Sequence, residues 1–164
     1  LLLAAASLAQ TLDQPARAVT DPGIITTRQA ITPAGVPSVF QGRVYGVAWG
    51  TADDLWVLHA ADLYQLNWRT NKVLQRIPHG GSPGIQSIAA QNGRIYTGNS
   101  IRVGSGPVRA RLSTVRDGAL TPVAADLGNH LAGALAVAGN KALVPLIWEN
   151  ALAVLDVSTG RTLH

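Results

Sequence analysis

Short apolar runs separated by polar turn residues recur along most of this chain. Residues 44–49 (VYGVAW), 55–58 (LWVL) and 143–146 (LVPL) are apolar at nearly every position. Runs of this length that are bounded by turn residues are typical of strands buried on both faces, although the period alone also permits a buried helix segment. The pattern therefore favours an all-β chain whose sheets are stacked against one another.

One stretch of the chain is repeated 89 residues later. Residues 62–74 are DLYQLNWRTNKVL and residues 151–163 are ALAVLDVSTGRTL, with leucine or threonine at four equivalent positions. Each copy is typical of a strand, a polar turn and a second strand. A fixed period of this kind marks a repeat protein. Polar residues of similar character are equivalent at Asn67 and Asp156, Asn71 and Gly160, and Lys72 and Arg161.

Three consecutive units follow from this repeat. If one unit lies between the two copies, the period is roughly 40–45 residues, which is the length of a four-stranded propeller blade. Asn92-Gly93 supports the middle unit, because both positions of such a tight hairpin turn need positive φ. Residues 131–138 are rich in Ala and Leu, which favour helix, so only their place in the repeat predicts a strand. The predicted strands are 44–49, 55–58, 62–68 and 72–77, then 85–90, 94–98, 108–114 and 119–123, then 131–137, 142–146, 151–157 and 161 onward.

These units predict the organisation of the chain. We expect an all-β fold, a partial beta-propeller of about three four-stranded antiparallel blades at about 43–78, 84–124 and 131–164. Because closed propellers have about four to eight blades and the last blade is incomplete, residues 43–164 are expected to be part of a longer protein. The proline-containing residues 10–42 are expected to form an extended leader. A strand within 23–31 is either part of this leader or closes the last blade.

The first nine residues predict export. They read LLLAAASLA, with small residues three and one before a cut after Ala9, as in the end of a secretory signal peptide; the alternative is an ordinary N-terminal helix. We therefore expect a signal-peptide remnant at 1–9 and a periplasmic or extracellular protein. No later run approaches the ~20 apolar residues of a membrane span.

Composition excludes several classes of site. The 164 residues contain no Cys and carry a formal net charge of +4. Without Cys there is no disulfide framework and no thiolate metal site. The arginines of the second unit lack the interleaved aromatic residues that stack on bases, so we expect no nucleic-acid partner; an exposed arginine stripe would reverse that expectation. These arginines are Arg94, Arg102, Arg109, Arg111 and Arg116.

The repeated turn resembles a known signature. Residues 149–161, ENALAVLDVSTGR, resemble the blades of YVTN/YncE-like beta-propellers, whose third strand ends in V-I-D-x-x-T-G-K/R, and residues 66–73, LNWRTNKV, resemble a second copy. The resemblance covers about residues 40–164, without the Tyr-Val-Thr-Asn core itself. It implies a secreted propeller, sometimes fused to a phosphoesterase domain. Lactonase-like propellers and quinoprotein dehydrogenase subunits share the pattern.

Loop residues predict one candidate site. In a blade, the loop between the second and third strands and the loop to the next blade emerge on the same face, where convergent polar groups beside an aromatic wall are typical of a ligand site. Histidine there could bind a metal or act as a base; the alternative is that loop residues of this kind do not converge. The predicted ligand-binding rim consists of His59, Asp62, His79, His130, Trp148 and Glu149.

No catalytic motif accompanies this rim. The sequence has no phosphate-binding loop, HExxH, nucleophile elbow or EF-hand loop, so we predict no catalytic residue, resident metal or cofactor. Trp49, Trp56 and Trp68 are predicted to pack between blades, and Asp53-Asp54 to form a turn. The predicted function is an exported binding or scaffold domain whose loop face meets an unidentified ligand or protein partner. The alternative is the propeller of a secreted enzyme, either lactonase-like or fused to a phosphoesterase or redox domain beyond residue 164.

Overall fold

In the computed structural model of the protein, the described residues form eleven β-strands in three separate antiparallel sheets. The structure describes residues 14–17, 36–102, 104–128, 133–146 and 149–164. The predicted all-β class is confirmed, and none of the three sheets is closed on itself. The expected signal remnant and the expected strand within 23–31 lie outside the described residues.

The first two sheets have four strands each, and their strands lie side by side in the order of the sequence. Strands β5 and β6 are longer than predicted, because they also pair with each other at Ser82 with Ser100 and at Pro83 with Asn99. Sheet 1 consists of β1 Val44–Trp49, β2 Asp54–His59, β3 Asp62–Asn67 and β4 Lys72–Pro78; sheet 2 consists of β5 Ser82–Gln91, β6 Arg94–Arg102, β7 Val108–Arg116 and β8 Ala119–Ala124.

Sheet 3 has three strands, again in sequence order: β9 Ala136–Ala138, β10 Lys141–Leu146 and β11 Ala151–Asp156. Its first strand was predicted from residue 131, and this is wrong for residues 133–135, which are not in a strand. Leu135 is instead buried in the core, and its amide donates to the carbonyl of Gln86 at 3.1 Å. Beyond β11, Thr162 pairs with Leu155 as an isolated bridge.

Turn chemistry explains where the strands end. Asn92 and Gly93 have φ values of 50° and 71° between β5 and β6, as their sequence predicts, and Asp117 and Gly118 have 47° and 75° between β7 and β8. Asparagine, aspartate and glycine tolerate this left-handed region, so they close two-residue hairpins whose twist matches that of the strands.

Two apolar layers hold the sheets together. The layer between sheets 1 and 2 contains Trp56, Leu58 and Leu63 from one side and Ile88 and Ile95 from the other. The layer between sheets 2 and 3 is larger and includes Tyr96, Ala110, Leu112, Ala142, Val144, Ala153 and Leu155. Burying these side chains stabilises the stack by roughly 25 cal/mol per Å² of apolar surface removed from water.

The sheets are arranged with equivalent strands side by side. The first strands β1 and β5 contact each other, as do β5 and β9, and the last strands β4 and β8 also meet. Contact is denser between the first strands than between the last, so the sheets converge toward their first strands. Among the described residues, no helix has the length and apolar character needed to cross a membrane.

The tryptophans divide between core and surface. Trp56 is buried between sheets 1 and 2, as predicted. The prediction is wrong for Trp49, which is 62% exposed. Its strand is apolar on both faces, and only one of those faces is covered by sheet 2. Trp68 lies one residue beyond β3, where its ring meets Trp49 edge-on with centroids 6.2 Å apart.

Candidate functional site

His59 ends β2 and is held by two backbone groups. Its Nε2 lies 2.7 Å from the carbonyl oxygen of Gln41, and its Nδ1 accepts the amide of Ala61 at 3.4 Å. Because Nδ1 accepts, the proton belongs on Nε2, which donates to Gln41. The residue is 9% exposed, so this ring connects two loops and is largely withdrawn from solvent.

His79 repeats this arrangement after β4. Its Nε2 lies 2.9 Å from the carbonyl oxygen of His59, and its Nδ1 accepts the amide of Gly81 at 3.4 Å. The residue is 6% exposed. Both histidines therefore bond the amide two residues ahead and donate across to a preceding loop.

Asn99 of β6 adds a third step. Its Nδ2 donates to the carbonyl oxygen of His79 at 3.0 Å. The side chains of His59, His79 and Asn99, with the carbonyls of Gln41, His59 and His79, form a chain that we call the edge ladder. It runs from the loop before β1 to sheet 2, and so fixes the loops at this end of sheet 1 relative to sheet 2.

Asp62 lies beside this ladder as the first residue of β3. Its Oδ2 is 2.9 Å from a guanidinium nitrogen of Arg76, and its side chain is only 5% exposed. Arg76 also lies over the ring of Tyr64, 5.7 Å from the centroid. A largely buried carboxylate paired in this way serves the packing of β3 and β4, since leaving the buried charge of Asp62 unpaired would be costly.

The remaining rim residues lie elsewhere. Glu149 is exposed and its carboxylate lies against Gly128, in the loop after β8. His130 and Trp148 lie outside the described residues. The structure thus brings His59, Asp62 and His79 together at the edge ladder and puts Glu149 at a different loop.

Metal binding finds no support in the part of the chain that the structure describes. No group of three or more His, Asp or Glu side chains is arranged there to hold an ion. In both ladder histidines, each ring nitrogen already has a backbone partner.

The turn after β11 lowers the pKa of a carboxylate, that of Asp156. Asp156 accepts hydrogen bonds from the hydroxyl and amide of Ser158, and from the amide of Thr159 at 3.1 Å. These bonds favour the charged carboxylate, the hydroxyl of Ser158 most strongly, and hold the pKa of Asp156 below its usual value.

A groove that sequence reasoning did not predict lies on the side of sheet 1 away from sheet 2. Its volume is about 710 Å³. The indole Nε1 of Trp68 is buried and makes no hydrogen bond to any described residue. Apolar residues in β1 pointed to burial on both faces, so the sequence carried no sign of an open one. The lining consists of Arg17, Val36, Ser38, Phe40, Val44, Val47, Leu55, Val57, Leu66, Trp68 and Arg69.

Two arginines border this groove, and both are engaged. Arg17 donates to the carbonyl of Trp68 at 2.9 Å, and Arg69 stacks on the ring of Trp68 at 4.3 Å. The Nε of Arg69 is also 2.6 Å from Asp53. These contacts fix the walls of the groove.

The arginines of sheet 2 do not form a single stripe. Arg94 begins β6 and Arg116 ends β7, at one end of the sheet, whereas Arg102, Arg109 and Arg111 lie toward the other end. Arg109 is 3.7 Å from Asp126.

Comparison with known proteins concerns fold. No protein-family model and no curated protein matches this chain. Among solved structures, the chain is similar to the computationally designed Ika4 protein, with a TM-score of 0.56 and 15% identity; the match covers 76% of this chain and 72% of that chain. At this identity the likeness carries no information about activity.

Proposed function

We propose that this chain is a propeller-type binding or scaffold domain of the YVTN/YncE-like kind, with about three blades, which presents its loop face to a protein partner. Three features support the blade arrangement. Strand order is sequential in every sheet, the sheets converge toward their first strands, and apolar layers lie between consecutive sheets. Export to the periplasm or the medium belongs to the same proposal and rests on residues 1–9.

The edge ladder is the observation that carries the binding role. Its histidines are nearly buried and each ring is bonded to backbone at both nitrogens, so they hold loops in place and are not poised for proton transfer. Preorganised loops reduce the entropy lost when a partner binds. The ladder thus favours recognition by fixed loops over catalysis by its histidines.

The exposed residues beside the ladder indicate the kind of partner. Ala60, Ala61, Gly80 and Ser82 are exposed between the buried ladder residues. Small side chains at these positions give a shallow surface. Such a surface fits a peptide segment or a protein loop better than it fits a small molecule, which needs a concave pocket.

A matched pair of substitutions tests this proposal. Ala60 and Ala52 are both exposed, and they lie in the loops at opposite ends of β2. A random peptide display library selected on the wild-type protein should yield peptides whose affinity falls at least about tenfold with Ala60→Arg, equal to about 1.4 kcal/mol. The same peptides should bind Ala52→Arg as they bind the wild type. Failure to enrich any peptide, or equal loss in both variants, would contradict a binding role for the loop face.

A further inference from the structure

Each sheet presents two apolar faces, and the faces pack in a fixed order. In sheet 1, Leu58 and Leu63 lie on the face that meets sheet 2, which we call the front face. Leu55 and Leu66 lie on the opposite face, which we call the back face. Sheet 2 meets this front face through Ile88 and Ile95, and it meets sheet 3 through the face that carries Tyr96 and Leu112.

The 89-residue repeat identifies the corresponding faces of sheet 3. Leu66 is equivalent to Leu155, which is fully buried against sheet 2, so sheet 3 packs through its back face. Leu63 is equivalent to Leu152, which is 49% exposed, although Leu63 itself is fully buried. Both internal contacts therefore join a front face to the back face of the next sheet.

The stack consequently ends in one open face of each kind. On the back face of sheet 1, Val47 is 53% exposed and Trp49 is 62% exposed, beside the 710 Å³ groove. On the front face of sheet 3, Leu152 is exposed and its cross-strand neighbour Pro145 is half-buried. Single exposed apolar residues are common, but contiguous apolar patches mark interaction sites.

The turn after the third strand of a sheet contacts whatever lies against the back face of that sheet. Gly160 approaches the carbonyl of Val123 in β8, and a Cβ on Gly118 would lie 2.8 Å from the side chain of Gln75 in β4. In both cases the turn meets the last strand of the preceding sheet. The equivalent turn in sheet 1 meets the leader, because the side chain of Asn71 donates to the carbonyl of Pro15.

The leader therefore lies where a preceding sheet would have its last strand. An antiparallel bridge between Ala16 and Val39 joins two segments of the leader. Ser38 donates to the side chain of Asn71 at 2.7 Å, and Gln14 donates to the Asn71 carbonyl at 3.1 Å, so both segments are held on sheet 1. On the β1 side of the back face, Val47 and Trp49 are exposed beside the described leader residues. Among the described residues, Thr162 continues sheet 3 beyond β11 through its bridge to Leu155.

We propose that a second copy of this chain covers the open back face, head to tail, with the front face of its sheet 3 packed on sheet 1 beside the leader. The contact continues the front-to-back order of both internal layers. Made twice, it closes the described sheets of two chains, three from each, into a ring of six, within the range of closed propellers. The ring rests on the proposed blade arrangement and is independent of peptide binding at the loop face.

Solution mass provides the first test. Light scattering coupled to size exclusion should give twice the mass of one chain for the wild type. Val47→Glu on the back face and Leu152→Glu on the front face should each give a folded single chain, and Leu74→Glu, at a residue 44% exposed on β4, should leave the doubled mass unchanged. A single-chain mass for the wild type, or a doubled mass insensitive to both face variants, would overturn the proposal.

Mixed cross-linking tests the head-to-tail direction even if the glutamate variants fail to fold. The chain has no cysteine, so Val47→Cys and Leu152→Cys chains can be mixed and treated with a short bismaleimide. Mixed dimers should exceed either self-linked dimer by at least about tenfold, and Leu74→Cys should link to neither. Preferential linking of Val47→Cys to itself would show a back-to-back contact and exclude the proposed one. Peptide binding by the Ala60 test would be unaffected in either case.

Discussion

Sheets 1 and 3 contain the same turn in two different surroundings. Asn67 and Asp156 each accept hydrogen bonds from the turn that follows, and Asn71 and Gly160 each adopt positive φ, at 59° and 74°. In sheet 1 the side chain of Asn71 binds the leader, whereas in sheet 3 the lack of a side chain at Gly160 lets the turn approach sheet 2. One backbone shape thus serves two kinds of contact, and a single residue decides which.

Of the substitutions in these two turns, Gly160→Ala should cause the largest loss in the free energy of unfolding. Alanine would be strained at φ 74°, and its Cβ would collide with the backbone carbonyl of Val123. We expect a loss of about 3 kcal/mol or more in the free energy of unfolding, measured by urea denaturation.

Gly139→Ala is the matched control for that loss. Gly139 also has positive φ, at 59°, but a Cβ there would meet nothing within 4 Å. Only the backbone term remains, so we expect a loss of about 1 kcal/mol. Equal losses at the two glycines would show that the turn of sheet 3 does not press on sheet 2.

Asn71→Gly should have the next largest effect. Glycine keeps the positive φ but removes the bonds to Pro15 and Ser38, each worth about 1 kcal/mol. We expect a loss of about 2 kcal/mol and faster tryptic cleavage after Arg17, followed by mass spectrometry. Asn92→Gly, at φ 50° in the exposed turn between β5 and β6, should change neither quantity appreciably. Unchanged cleavage in Asn71→Gly would mean that this side chain does not anchor the leader.

The two turns should also differ, more weakly, in acid. The pKa of Asp156 is lowered in the folded chain, so its contribution is present above the unfolded pKa and is lost as the pH falls through the folded pKa. Wild type should therefore lose stability relative to Asp156→Asn as the pH is lowered below about 4. Asn67→Gln, at the uncharged equivalent, should shift stability by the same amount at every pH. Urea midpoints that fall in parallel for wild type and Asp156→Asn would contradict this assignment.

The strands were largely predictable, because turn residues and apolar runs are local signals. Both φ values at Asn92-Gly93 are positive as expected, and sheets 1 and 2 each have the four strands that were predicted. The start of β9 was not predictable, since the amide of Leu135 donates to the carbonyl of Gln86 in another sheet and the residue does not join the strand. The prediction for Trp49 was wrong for a similar reason: the exposure of this residue depends on which face of β1 a neighbouring sheet covers.

The candidate site was predictable only in position. The loop residues His59 and His79 do lie next to each other, but their roles depend on carbonyls of Gln41 and His59 that are 18 and 20 residues away. No local pattern encodes such partners. The groove at sheet 1 was not predicted, because an apolar strand has the same sequence pattern whether one of its faces is covered or open.

Sheets 2 and 3 each pack through the back face onto the front face of the sheet before them. Nuclear Overhauser effects between methyl groups test this claim most directly, in protein with labelled leucine, isoleucine and alanine methyls. We expect cross-peaks from Leu155 to the sheet 2 residues of the shared core, Ala110, Leu112 and Ala124, and none from Leu152 to those residues. Cross-peaks from Leu152 in place of Leu155 would contradict it.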